Sequence, residues 1–590
     1  MSSSQTLPTS RGWGHRASPV CKLPNEILSY IFELVTHALS LDEFPVVGDN
    51  QQKLPFHPAS VTAPTTLSTV NRRWRDLVWA NPKLWTSIFV SIDNIIDCGY
   101  IREESCFHPS PGRILDVESL GRFLSRSRNS PIDILIDGRD PDWDFPDFFD
   151  GGQLVEGCPV DNHPFCPQIM TQILDILFHH VSRWRSLVIL TDTWAPMHAT
   201  IHRLSNPHSD RGSSHSTIGG ASCLEALTLM CCNEYIVHSD TFVPPELKEP
   251  ICNPFAALLD HPSDSLSAAS RKLTRLRSVS LLGVHVNWAD FASLVSDTCR
   301  GLSKGIQTLE LSYHCCEVRP SVSDFCRILK GCPNLRSLSL KLSGPQCAEE
   351  TFEGHAVILP SLEKLHLEYD SSQDAARALS LLRCPNLKTL VAEGVAHVDR
   401  GSDDGSHLLM YCSTGSLLIP ATPLDNAFPK PASLKRPDTA PRKSPFHLLE
   451  DLTLHRITAC MTPYSMLFAS LPNLRRLTLR HTPTHAIASL LPQQHFCGSQ
   501  NISEVRMTAP CIRLECLDVT HSEVEAYHVL GFTLKERGRM GAPRVPEVTL
   551  HLEGSSWLSG RPLVAMYEEI THLDIIDSSE EDDEEFGLDN

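Results

Sequence analysis

No stretch of this 590-residue chain approaches the roughly 20 consecutive apolar residues that a bilayer span needs, so no membrane-crossing role is expected. The opening residues, Met-Ser-Ser-Ser-Gln-Thr-Leu-Pro, contain no apolar leader core, and the expected location is cytoplasmic, nuclear or both. The common marks of catalysis are missing too. There is no Gly-rich phosphate cradle of the Walker or Rossmann type, no His-Glu-x-x-His and no Gly-x-Ser-x-Gly, so the expectation is a non-enzymatic chain without a cofactor. Basic residues are in short supply. With 51 Lys and Arg against 70 Asp and Glu, the formal net charge is -19, which argues against a general nucleic-acid binder because phosphate affinity needs clustered cations. Spaced cysteine ligands are lacking despite 21 cysteines. Cys158, His163 and Cys166 fall close together, and Cys231-Cys232 and His314-Cys315-Cys316 are adjacent, but neighbours on a strand face opposite sides and do not readily share one ion. No metal site is expected, and the cysteines read as small buried hydrophobes of a reducing compartment.

What is present begins with a split apolar signature. Pro24 suits the first position of a helix on which Ile27, Leu28, Ile31, Leu34 and Val35 recur at helical spacing. Thr65 or Thr66 is placed to cap a second helix that carries Leu67, Val70, Trp74, Leu77 and Val78 on one face and ends at Asn81-Pro82, before Leu84-Trp85. Two such helices cannot close a core alone; they either cap a larger domain or meet a partner. Leu23-Pro24-Asn25-Glu26-Ile27-Leu28 through Phe32, with Asn71-Arg72-Arg73-Trp74-Arg75-Asp76-Leu77 and Trp85, resembles an F-box, in the form common among mushroom-forming fungi. That resemblance implies a substrate receptor of an SCF ubiquitin ligase, docked on a Skp-type adaptor and through it on a cullin. It implies adaptor contacts from Leu23, Pro24, Ile27, Leu28, Ile31, Phe32, Leu67, Val70, Trp74, Leu77 and Trp85. The departure is an insert, residues 41–64, where a compact F-box has a short connection.

Further along, Leu-x-x-Leu-x-Leu recurs. Leu335-Arg-Ser-Leu338-Ser-Leu340, Leu362-Glu-Lys-Leu365-His-Leu367, Leu449-Glu-Asp-Leu452-Thr-Leu454 and Leu474-Arg-Arg-Leu477-Thr-Leu479 are the clearest copies. Trp184 to Ile189 and Val545 to Leu550 are candidate outer members. Alternation sends the leucines to one side of a short strand, and turns such as Cys332-Pro333-Asn334 and Leu471-Pro472-Asn473 return the chain from helical segments such as Ser321–Leu329. The pattern is similar to leucine-rich repeats. The opposite side of the strands then offers a row of side chains to a protein substrate, with Lys364, His366, Glu368, Asp451, His455, Arg476 and Arg480 as the expected contacts.

The expected architecture is α/β. A disordered N-terminus (1–18) leads into a helical F-box-like domain (19–90), then an irregular solenoid of parallel strands and helices (91–573) and an acidic disordered tail (574–590). Loop insertions are expected at 137–166, acidic and aromatic and suited to a surface loop or a binding segment; at 197–221, rich in Ser, His and Gly; and at 396–447, which ends in a basic, proline-bearing run. That run suits a weak nuclear-import signal, a proline-directed phosphosite or a plain disordered insertion. Ser578 and Ser579, each with an acid three residues on, suit an acidophilic kinase or a simple solvated tail.

Overall fold

The computed structural model describes residues 19–37, 54–100, 111–140, 149–150, 153–154, 163–206, 220–231, 241–259, 273–296, 305–346, 356–395, 404–417, 444–496, 505–521, 525–553 and 568–576. It is α/β, with a large parallel sheet, and divides into two units: residues up to Asp137 with Arg183–Ser186, and the remainder.

In the first unit, helix α1 (Asn25–Thr36) buries Leu28 and Phe32, which are four residues apart on one face. The expected second helix is in fact two, α2 (Ala63–Val70) and α3 (Arg72–Ala80). Asn71 sits between them in an extended conformation and its side-chain oxygen accepts the Trp74 N–H at 2.9 Å. The cap is thus Asn71 rather than Thr65 or Thr66, and the break re-aims the tryptophan toward α1. Phe32 and Trp74 lie 4.9 Å apart, and with Leu28, Val78, Leu84 and Trp85 they form a small core. Arg73 closes it from the side, donating to Asn25 Oδ1 and to the Leu23 carbonyl, each at 2.6 Å. Replacing Asn71 with alanine removes an N-cap and is expected to lower stability by about 1 kcal/mol, read as a shift in the urea midpoint.

Part of the expected insert has structure. Residues 38–53 lie outside the described region, but Phe56 and Val61 are buried, and the one-turn helix Pro58–Thr62 leads directly into α2. Strand β1 (Ser87–Ser91) follows Trp85 and pairs in parallel with Ile132–Gly138, from Ser87 opposite Asp133 to Ser91 opposite Asp137. Helix α4 (Val117–Arg126) comes between the two strands, capped by Asp116.

The second unit carries the leucine pattern. From Leu187 on, its sheet runs through strand Trp184–Thr191 to Ala226–Cys231, Ser278–Leu282, Thr308–Ser312, Ser337–Lys341, Lys364–Tyr369, Thr389–Gly394, Asp451–His455, Arg476–Arg480, Cys516–His521, Glu547–Glu553 and His572–Ile576, in that order. Register is exact from strand to strand: Leu309, Leu338, Leu365, Leu390, Leu452, Leu477, Leu517 and Val548 form one buried row. Helices Trp288–Ser296, Val322–Gly331, Ser372–Ser380, Ser406–Thr414, Met461–Ser470, Thr484–Ala488 and Glu525–Arg539 make the crossovers. Each return turn closes the same way. The N–H of Leu335, Leu387 and Leu474 bonds the carbonyl of Cys332, Cys384 and Leu471, and the turn asparagines Asn386 and Asn473 donate to Pro360 O and His447 O of the preceding turn.

At the other end of the strands a second regularity recurs. Gly283, Tyr313, Leu342, Arg456 and His481 each follow a strand and each has φ between 50° and 62°. Their N–H groups bond the last carbonyl region of the next strand: Ser312, Lys341, Glu368, Arg480 and Thr520, respectively. Only at Gly283 is a side chain excluded outright, since a Cβ there lies 2.6 Å from the Cys231 carbonyl oxygen.

Two expected loops are corrected in part, and the third holds a short strand pair. Residues 197–205 belong to helix Trp194–Ser205, which buries Met197, Ile201 and Leu204; the Ser/His/Gly composition of residues 207–219, outside the described region, had masked that spacing. Within 396–447, helix Ser406–Thr414 buries Leu408, Leu409, Met410, Tyr411 and Cys412. Within 137–166, Phe149–Asp150 pairs with Gln153–Leu154 and Phe165 is buried. Asp574, Ile575 and Ile576 belong to strand His572–Ile576 rather than to a tail; residues 577–590, like residues 1–18, lie outside the described region. Among the described residues no helix is long and apolar enough to cross a membrane.

Candidate functional site

Two surfaces, one in each unit, contain the residues expected to make contacts. On α1, Ile27, Tyr30, Leu34 and Val35 are 47–59% exposed and Ile31 is 37% exposed, a stripe that borders the buried Leu28 and Phe32 and runs round from them. Val70, at the end of α2, is 56% exposed. Burying such a side chain fully is worth about 1.5–3 kcal/mol, so leaving five on one short helix is costly unless something covers them.

The residues expected to contact an adaptor separate accordingly. Leu28, Phe32 and Trp85 are each 1% exposed and form the unit's own core; Leu23, Leu67, Trp74 and Leu77 pack partly against that core. Pro24, Ile27, Ile31 and Val70 remain at the surface. Tyr30, Leu34 and Val35 join them from outside the expected set. The signal of Leu34 and Val35 was present in the sequence, in the same helical stripe as Leu28, but helical spacing alone does not say which members of one broad stripe face inward.

The second surface is the strand face opposite the leucines. In-register pairing stacks its side chains into ladders, so the expected open row is instead a packed charge network. Lys341 is only 4% exposed; its ammonium lies 3.7 Å from Glu310 and 5.8 Å from the centre of the Tyr313 ring. Glu393 accepts from His455 Nδ1 at 2.8 Å and lies 4.0 Å from His366. Arg476 holds Asp451 through two bonds, at 2.6 and 2.9 Å. His481 lies 3.6 Å from Glu553, and His551 stands between Asp518 at 3.5 Å and Asp574 at 3.2 Å. Of the expected substrate contacts, Lys364 and Arg476 are exposed, while His366, Glu368, Asp451, His455 and Arg480 are half-buried.

The network is protonation-sensitive. Burial, reinforced by the neighbouring Glu393 carboxylate and opposed by Lys341 and Arg456, pushes the Glu368 carboxyl up to about 7. Burial and the Lys341 charge pull His366 down to about 4, with Glu393 opposing. For Glu393 burial acts upward, yet the hydrogen bond and charge of His455, with His366 and Arg456, bring its carboxyl below the ordinary range. Folded Glu368 therefore holds its proton from about pH 4.3, where an unfolded glutamate loses it, to about pH 7, and its contribution to stability falls as pH rises through that window. His366 acts with the opposite sign over much of the same range, between about pH 4 and its ordinary value of about 6.5, and is common to variant and native chain, so their comparison isolates Glu368. Glu368→Gln is expected to gain stability relative to the native chain between about pH 5 and pH 8 in paired thermal melts; a difference that stays flat contradicts this placement.

The buried histidines singled out in the sequence serve packing. His163 Nε2 faces Asp192 Oδ2 at 3.3 Å while its Nδ1 accepts the Phe165 N–H, and Asp192 also accepts the Asp140 N–H at 2.7 Å. His314 Nε2 donates to the Val284 carbonyl at 3.0 Å and Nδ1 accepts from the Ser343 hydroxyl at 2.8 Å; burial first, with the His285 and Arg319 charges adding to it, holds its pKa at about 3. No protein-family model matches the chain, and no curated protein sequence matches it.

Proposed function

We propose that this protein is the substrate-recognition subunit of an SCF-type ubiquitin ligase. The reading rests on the exposed stripe of α1, Ile27, Tyr30, Ile31, Leu34 and Val35, lying in the segment whose sequence resembles an F-box. In this reading the stripe docks on a Skp-type adaptor, which brings a cullin. The parallel repeat sheet of the second unit, similar in pattern to leucine-rich repeats, holds a protein substrate against its charged strand face. The chain contributes effective concentration of substrate lysines, and the transfer chemistry belongs to other subunits. It requires no cofactor, and its place is the cytoplasm, the nucleus or both.

The direct test is co-expression of the full chain with a Skp-type adaptor. Co-purification of the pair, and of a cullin with it, is the expected result. A chain that is folded by circular dichroism but is recovered without adaptor overturns the ligase reading and favours a free-standing interaction scaffold whose helices cap the array.

A further inference from the structure

The first unit contains a half-open cleft of about 680 Å³ that the adaptor stripe does not use. Its floor is β1, flanked on one side by Pro58–Thr62 with α2 and on the other by α4. β1 is the last strand of its sheet on that side. The Asp133 N–H bonds the Thr86 carbonyl, so in a parallel ladder Thr86, Ile88 and Val90 direct their backbone groups toward strand Ile132–Gly138. Ser87, Phe89 and Ser91 then direct theirs into the open side. Ser91 N–H is taken by Asn94 Oδ1 at 2.9 Å, but among the described residues the Phe89 N–H and C=O meet no partner.

Two acids and two bases line the cleft, and they differ in their hydrogen bonding. Asp93 is engaged by the Ser91 hydroxyl, and Asp116 is spent on the N–H groups of Glu118 and Ser119 as the cap of α4. Arg122 and Arg126, four residues apart on α4 and therefore on one face, have no carboxylate partner among the described residues. The Arg126 guanidinium instead rests on the rings of Trp85, at 4.4 Å, and Trp79, at 5.2 Å, and Trp79 is 48% exposed. An open strand edge walled by helices, with two guanidinium groups that have no carboxylate partner among the described residues and an exposed indole on one rim, matches one kind of occupant: an extended, acidic peptide segment.

We propose that this cleft binds an extended acidic segment of another protein by strand addition to the free edge of β1, with Arg122 and Arg126 pairing its carboxylates. Main-chain bonds to Phe89 supply the pairing, and the guanidinium groups select the charge. The five residues of β1 span about 17 Å at about 3.3 Å per residue, so the occupant is about five or six residues long. This inference depends on the first unit alone and holds whether or not α1 engages an adaptor.

The test uses the full chain and fluorescent peptides of about six residues in which valine alternates with glutamate, or with lysine as the control, followed by anisotropy. The glutamate peptide is expected to bind and the lysine peptide not to. Arg122→Glu is expected to weaken binding about tenfold or more, equivalent to about 1.4 kcal/mol. Two further probes carry N-methyl groups, one on every valine and one on every glutamate. Only one of the two is expected to lose binding, because an edge strand reads alternate residues of its partner. This comparison alters nothing in the protein and so holds even if an arginine variant misfolds. Equal binding of the glutamate and lysine peptides, equal loss with the two methylation patterns, or no binding at about 1 mM overturns the proposal.

Discussion

Ile27→Asp combined with Leu34→Asp is expected to abolish capture of a Skp-type adaptor while leaving the chain folded. Both side chains are about half exposed in the free protein, 47% and 56%, so a carboxylate at either position stays in water and should change stability by no more than about 0.5 kcal/mol. Under an adaptor the same carboxylates lose their solvent without gaining a partner. An unpaired buried polar group costs about 2–7 kcal/mol and a charge more, so the complex should weaken by at least about a hundredfold. Phe32→Ala provides the contrast. Phe32 is 1% exposed and packs on Trp74, and its truncation is expected to cost about 3–5 kcal/mol of stability, visible as a lower melting temperature before any effect on binding. If the aspartate pair leaves adaptor capture intact, the stripe is not the docking surface. If it unfolds the chain as Phe32→Ala does, the inward and outward faces of α1 have been exchanged.

The largest effect expected in the second unit comes from a buried cation. Arg537, on helix Glu525–Arg539, is 2% exposed and ties three separate carbonyls together: Nη1 donates to Leu490 at 2.7 Å and to Pro510 at 2.8 Å, and Nη2 donates to Cys511 at 3.4 Å. Burial alone accounts for its lowered pKa, with the nearby Cys511 acting weakly in the other direction. Arg537→Ala leaves those carbonyls without a donor and opens a cavity, and should cost about 3–5 kcal/mol in urea unfolding. Arg537→Lys should recover little, because a single ammonium does not span the fork. Arg537→Met should recover more than Lys, since it removes the desolvated charge while keeping volume. A lysine variant as stable as the native chain would show that charge, rather than the three-way fork, is what the site requires.

The repeat was legible because it is written in period-two alternation with the same Pro-Asn turn at each return. Leu338, Leu365 and Leu477 could be assigned to one row from spacing alone, and the register places them in one. Helix Ser406–Thr414 was lost because Ser-His-Leu-Leu-Met-Tyr-Cys is apolar on every side and sits between polar runs, leaving no stripe to recognise. The break at Asn71 was missed for a different reason: Val70, Trp74 and Leu77 keep helical spacing across it, and only the cap reveals the interruption. On α1 the sequence showed one apolar stripe, Ile27, Leu28, Ile31, Leu34 and Val35, and no means of telling which of its members face inward. Arg537 and the Glu393 network depend on partners tens of residues away, which no local pattern records.

The left-handed residue that follows five of the strands gives those turns a direction. Gly283, Tyr313, Leu342, Arg456 and His481 each secure their own turn by bonding forward, to the strand that comes next in sequence. A turn with positive φ at a non-glycine residue carries a cost of about 1–3 kcal/mol and persists only while its neighbour holds it. Loss of a later strand therefore frees the turn before it, whereas loss of an earlier strand leaves that bond untouched. At these five turns, opening is therefore expected to pass from the later strand to the earlier one, like a zip with its slider on the C-terminal side.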